Sequence, residues 1–196
     1  TQWYPTLISG GGFTAGNQAT SGSSKLGSTA GVLYTPAVVT GKRTGPAVVV
    51  MGDSIAYNSA HGSSLGYLEK GLDGHYGLIN TSSPGDRLYW YLSGHRSFSQ
   101  FADNDATTAI VEYCRNDLGD GRTVAQMQAN LLTLWNTRKT AGQRVIQTTI
   151  TPNTTSTDSW STTGNQTIAN ATVEAHRVSL NDWIRAGAPT VSGTAV

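Results

Sequence analysis

Charge is scarce in this sequence. Of its 196 residues 13% are Asp, Glu, Lys or Arg, and the formal net charge is +1, against roughly 25% charged residues in an ordinary soluble domain. So neutral a chain offers no electrostatic surface for nucleic acid or an anionic membrane. Cysteine occurs once, at Cys114, which excludes an internal disulfide and any cysteine-based zinc cluster. No apolar run approaches the roughly 18 residues of a membrane span, and no metal or cofactor motif is present. Gly, Ser, Thr and Asn are plentiful instead. With Thr1 rather than Met at the start, this composition gives the expectation of a secreted or extracellular protein whose leader has been removed.

The length fits one domain able to bury a core. Residues 1–45, with glycines at 10–12 and little helical periodicity, read as a loop- and strand-rich extension, and residues 46–196 as the main domain. Lys42 after Gly41 is no phosphate loop, because the upstream glycines and the following residue are wrong for one. From Ala47 the rhythm changes. Ala47–Met51, Gly77–Asn80, Thr108–Tyr113 and Arg144–Ile150 read as strands, short and apolar, with helical patterns between them. Thr123 with Gln126 forms a capping box. Val124, Met127, Leu131, Leu134 and Arg138 then follow helical spacing. A second helix is expected over Gln166–Arg185, with Ile168, Val173, Leu180 and Ile184 on its apolar side and Gly187 as its stop. Strands alternating with helices predict an α/β sandwich around a mostly parallel sheet, with ligands beyond the strands' carboxyl ends. N-x-Ser/Thr sequons at Asn80, Asn153, Asn165 and Asn170 are expected by chance in so Asn- and Thr-rich a chain.

Three loops fall at that edge. The first carries Gly52-Asp53-Ser54-Ile55, where a hydroxyl stands at the start of a helix; the plain alternative is that Asp53 or Ser54 only caps it. The second reads Ser82-Ser83-Pro84-Gly85-Asp86-Arg87, and the third Cys114-Arg115-Asn116-Asp117. A serine, a glycine N–H and an asparagine amide together suit acyl transfer, in which negative charge develops on a carbonyl oxygen.

GDSI at 52–55, the glycine of SSPGD and the RND at 115–117 resemble the first three sequence blocks of the SGNH (GDSL-type) hydrolases, over about Ala47 to Ile184. The resemblance implies a flavodoxin-like three-layer α/β/α sandwich and a serine ester hydrolase needing no metal or cofactor. It makes Ser54 the nucleophile, and the Ser54 N–H, the Gly85 N–H and the Asn116 side chain the oxyanion hole. Asp53 takes a structural role in the turn, beside the substrate. Arg87 and Arg115 are candidates for binding a carboxylate or sugar hydroxyls, and Tyr89, Trp90 and Tyr91 for stacking on a sugar ring. A glycan or other small acyl ester is the expected substrate.

The sequence departs from the family in two ways. Cys114 stands where the third block begins with glycine, and as a nucleophile it is the weaker reading, since a lone cysteine ending a buried strand is packed. The family's Asp-x-x-His block occurs nowhere. His61, His75, His95 and His176 each read as surface or packing residues rather than a base. The expectation is a domain incomplete at its C-terminal strand, the His and Asp coming from outside this chain, for instance from a second polypeptide completing the sheet. The alternative is a non-catalytic carbohydrate-binding or structural module on the same scaffold.

Overall fold

A computed structural model describes residues 45–57, 66–72, 75–95, 103 and 105–187. The readings made above for 1–44, His61 and the C-terminal end from 188 fall outside them. Four parallel strands form the central sheet: β1 (Ala47–Gly52), β2 (Gly77–Asn80), β3 (Thr108–Glu112) and β4 (Arg144–Gln147), in the order β2-β1-β3-β4. β1 is the hinge of this order, pairing Val48 with Leu78 on one side and with Thr108 on the other.

The strands read as continuous apolar runs because both faces are covered. The pleat sends Val49, Met51, Ala109 and Val111 to one face, and Val48, Val50 and Ile110 to the other. The second face is covered by α1 (Ser54–Tyr57) and α2 (Tyr67–Leu72), through Ala56, Leu68 and Leu72. The first is covered by α3 (Leu88–Leu92), α5 (Val124–Thr140) and α6 (Ala171–Arg185), with the short α4 (Arg115–Gly119) at the strand ends. The result is the expected α/β/α sandwich.

The capping box forms as read: the Thr123 hydroxyl accepts from the Gln126 N–H at 3.2 Å, and the Gln126 side chain accepts from the Thr123 N–H at 3.0 Å. Below it Met127, Leu131 and Leu134 are buried with Trp135, whose ring stacks on Trp183 of α6 at 5.4 Å.

The expected helix from Gln166 is corrected by the structure. Gln166–Ile168 is instead a strand (β6), paired antiparallel with β5 (Thr154–Ser156) in a separate two-stranded ribbon, and Ile168 is exposed. The α6 helix starts only at Ala171, where the Asn170 side chain accepts from the Val173 N–H at 3.0 Å. The β-branched Thr167 and Ile168 favour extended backbone, and a cap signal placed after them fixes the start. The strands also end a residue or more from the sequence reading, β3 at Glu112 and β4 at Gln147. Of the sequons, Asn80 is buried, donating to the Ala56 carbonyl at 3.2 Å, which removes it as a glycan acceptor.

Candidate active site

The parallel sheet brings the three loops to one edge, because β1, β2 and β3 all end there. β1 delivers Ser54 directly into α1. The Asp53 side chain accepts from the Ile55 N–H at 2.9 Å and so fixes the turn. The loop after β2 is tied to β1 by N–H groups of Thr81 and Ser83 on the carbonyls of Val50 and Gly52, at 2.9 and 3.1 Å. Gly85 sits in it at φ +75°, a left-handed conformation that a side chain would strain, and its Cβ direction faces open space. The N–H of Gly85 is thus carried on exposed backbone beside the first loop.

Asn116 ties the loops together. Its amide donates to the Asp86 carbonyl at 2.8 Å and lies 3.4 Å from the Asp53 carboxylate. The second contact is long, so one amide hydrogen is weakly held and can turn to an oxyanion. Its neighbour Asp117 is buried and points the other way, accepting from the backbone N–H groups of Leu88 and Tyr89 at 3.0 and 3.4 Å. The N-D pair therefore divides its work: Asn116 faces the serine loop and Asp117 anchors the start of α3. Asp86 is fixed in turn by the Tyr113 hydroxyl at 3.0 Å.

Arg87 is held within the fold. It pairs with Asp120, with one N–O distance of 3.0 Å, donates to the Gly85 carbonyl, and lies over the Trp90 ring at 3.9 Å. Its guanidinium braces the glycine loop and holds the Asp120 carboxyl below its ordinary range. The expected sugar-stacking aromatics are also engaged: Tyr91 is buried, Arg87 covers Trp90, and Arg122 lies over Tyr89 at 3.9 Å. Arg115 differs, since it forms no ion pair among the described residues. It lines a cleft with Leu118, Thr151, Asn153, Asn170 and Arg177.

Beneath the serine turn lies a group the sequence reading missed. Glu112, the last residue of β3, is buried beside Asp53. Gly52 is required here by packing rather than by a turn, because a Cβ would stand 2.8 Å from the Glu112 carbonyl and 2.9 Å from its Oε2. Burial, and then the Asp53 charge, push Glu112 up to about 8. Burial raises Asp53 as well. At neutral pH this pair keeps a proton. The one glutamate ending a largely apolar strand was the signal available, but only the three-dimensional pairing reveals its neighbour.

Cys114 adopts φ +88°, the left-handed region, which explains why glycine suits this position. Burial raises its thiol well above the usual range, so it is no thiolate nucleophile. At an ordinary site alanine is the more stable small residue; here Cys114→Gly is expected to be more stable than Cys114→Ala by about 1 kcal/mol. Equilibrium denaturation of the two variants reads this directly, and equal midpoints would mean that the loop relaxes.

The base is not assembled among the described residues. The Ser54 hydroxyl makes no hydrogen bond to any of them. His75 precedes β2 at the amino edge, exposed His95 stacks beside Trp90 at 5.6 Å, and His176 lies on α6.

No family model matches the chain, and no curated protein matches it in sequence. Solved structures do resemble it. The psychrotrophic esterase EstA from Pseudoalteromonas sp. is 19% identical over 72% of this chain and 73% of its own, with a TM-score of 0.53. A protein assigned as an acylhydrolase from Bacteroides fragilis NCTC 9343 is 19% identical over 74% of this chain and 64% of its own, with a TM-score of 0.52. A GDSL-like lipase from Bacteroides thetaiotaomicron VPI-5482 is 17% identical over 72% of this chain and 62% of its own, with a TM-score of 0.50. The match thus spans less than two thirds of the length of two of the three. With its mostly parallel sheet, its flanking helices and its GDSI turn at the sheet's carboxyl edge, this chain has the fold of the SGNH (GDSL-type) ester hydrolases.

Proposed function

We propose that the protein is a serine ester hydrolase acting on a small acyl or glycan ester. The single observation that carries this reading is the junction at Asn116, whose amide bridges the Ser54 turn and the Gly85 loop. The base takes the Ser54 hydroxyl proton as Oγ attacks the ester carbonyl carbon, and the negative charge moves to the carbonyl oxygen. The N–H groups of Ser54 and Gly85 and the Asn116 amide receive it. Collapse expels the alcohol, which takes the proton from the base, and leaves an acyl-Ser54 that water then hydrolyses.

The base is a histidine carried outside the described residues, on a further strand joining the free edge of β4 or on a second polypeptide. Two features support this. Among the described residues β4 has a neighbour on one side only, and Ile146 on it is exposed. An apolar edge of this kind is ordinarily covered. We place the protein outside the cell, in line with its composition.

The test is covalent capture. The full chain is treated with an ethyl fluorophosphonate, digested, and mapped by mass spectrometry. One adduct on Ser54, absent from Ser54→Ala, is the expected result. Equal labelling of other serines, or no labelling at all, would overturn the reading in favour of a non-catalytic module.

A further inference from the structure

The ribbon of β5 and β6 carries a feature that the reaction above does not use. At its tip two consecutive non-glycine residues, Ser159 and Trp160, adopt positive φ, 56° and 62°. For a residue as bulky as tryptophan this is a true outlier, which the surroundings must impose. They do so with a dense polar network. Ser156 Oγ accepts from the N–H groups of Asp158 and Trp160 at 3.1 and 2.9 Å. Asp158 Oδ2 accepts from the Thr162 N–H and the Asn165 amide, both at 3.0 Å, and from the Thr162 hydroxyl. These donors hold the Asp158 carboxyl well below the usual carboxylate range. The ring's own polar atom is also satisfied, Nε1 donating to Thr154 Oγ1 at 3.0 Å.

The outcome is an indole fixed at both backbone and ring nitrogen, yet 59% exposed. Ile168, opposite Thr154 in the ribbon and exposed, extends the same face. The rim carries no cation: no Lys or Arg occurs between Thr154 and Ile168, and its one carboxylate, Asp158, is held by the donors of Thr162 and Asn165. The ribbon also rises from the catalytic edge. It begins at Asn153, whose carbonyl accepts from the Ala169 N–H at 3.0 Å, and Asn153 and Asn170 line the cleft beside Arg115.

We propose that the Trp160 ribbon is a carbohydrate-binding platform, stacking the apolar face of a pyranose ring while the surrounding hydroxyls and amides meet its OH groups. The chemistry chooses this ligand class. A single rigid aromatic face with a polar rim that holds acceptors and no cation matches a ring with apolar faces and hydroxyl edges. Single-stranded nucleic acid would need cations tracking its phosphates. A stable protein interface would need a far larger apolar core. The proposal rests on the ester-hydrolase reading only in naming the glycan as the substrate's body; binding itself needs no Ser54.

The experiment titrates the full chain carrying Ser54→Ala with neutral xylo-, manno-, cello- and chito-hexasaccharides, following tryptophan fluorescence and calorimetric heat. At least one is expected to bind and quench the emission. Trp160→Ala should then weaken binding at least tenfold, while Trp160→Tyr, which keeps a stacking ring, retains most of it. Circular dichroism melts of both variants identify any loss of fold. No binding by any of the four, or equal binding by Trp160→Ala, overturns the proposal; so does Trp160-dependent uptake onto neutral phosphatidylcholine vesicles without sugar binding. Sugar binding without Ser54 capture upholds the platform and sinks the hydrolase reading, and Ser54 capture without sugar binding does the reverse.

Discussion

Asn116→Ala is expected to slow acylation of Ser54 by a short acyl ester about 10²–10³-fold, the loss typical of one oxyanion-hole donor. The substitution removes a donor from charge that exists only in the transition state, so the fall should lie in the acylation rate, with substrate binding little changed. A structural contribution comes with it, because the same amide bonds the Asp86 carbonyl at 2.8 Å. Losing that bond should lower stability by about 1 kcal/mol. Asn116→Asp separates the two effects. It keeps the shape and places a second carboxylate near Asp53, so acylation should fall at least as far. A burst-phase measurement decides: an acylation rate within threefold of wild type in Asn116→Ala would remove Asn116 from the oxyanion hole.

The meeting of the three loops at one sheet edge was readable before any coordinates, for a physical reason. A serine after a buried strand, a glycine at φ +75° and an Asn-Asp pair after another strand are requirements of local backbone, and local backbone is written in short motifs. The capping box at Thr123 belongs to the same class. What escaped depends on distant partners. Arg87 looked like a substrate-side cation because its Asp120 partner is 33 residues away. Trp160 drew no reading at all, since nothing in its neighbours in sequence announces a positive φ. The second strand of the ribbon was hidden inside an expected helix because Ile168 happens to fall in register with Val173, Leu180 and Ile184, and a periodic pattern cannot reveal that a strand precedes the cap at Asn170. Glu112 is the sharpest case, being an ionisable residue in a strand that reads as apolar.

Glu112→Gln is expected to flatten the loss of stability that the wild type shows as the pH rises. The folded state raises the Glu112 pKa from 4.5 to about 8, through burial first and the Asp53 charge second. A carboxyl whose folded pKa is raised holds its proton more tightly folded than unfolded. Its contribution is therefore fully present at pH 4 and below, and declines as the pH climbs through the interval up to about 8. The decline is bounded by roughly 1.4 kcal/mol per pH unit. Asp53, also raised, acts in the same direction. The other groups facing this space are Tyr67 of α2, which itself feels Glu112, and Arg115 and Asp117 of α4, which act on Asp53. Arg115 alone is positive and opposes the effect. Glutamine keeps the shape of the protonated acid and can donate to Asp53, so it should outlast the wild type at pH 9 by about 2–4 kcal/mol and match it near pH 5. Glu112→Ala would instead leave a hole beneath the serine turn and lose stability at both. Urea denaturation at pH 5, 7 and 9 tests the pair. Parallel slopes for wild type and Glu112→Gln would mean that Glu112 is ionised in the folded protein, and that the turn carrying Ser54 is built over two charges rather than one shared proton.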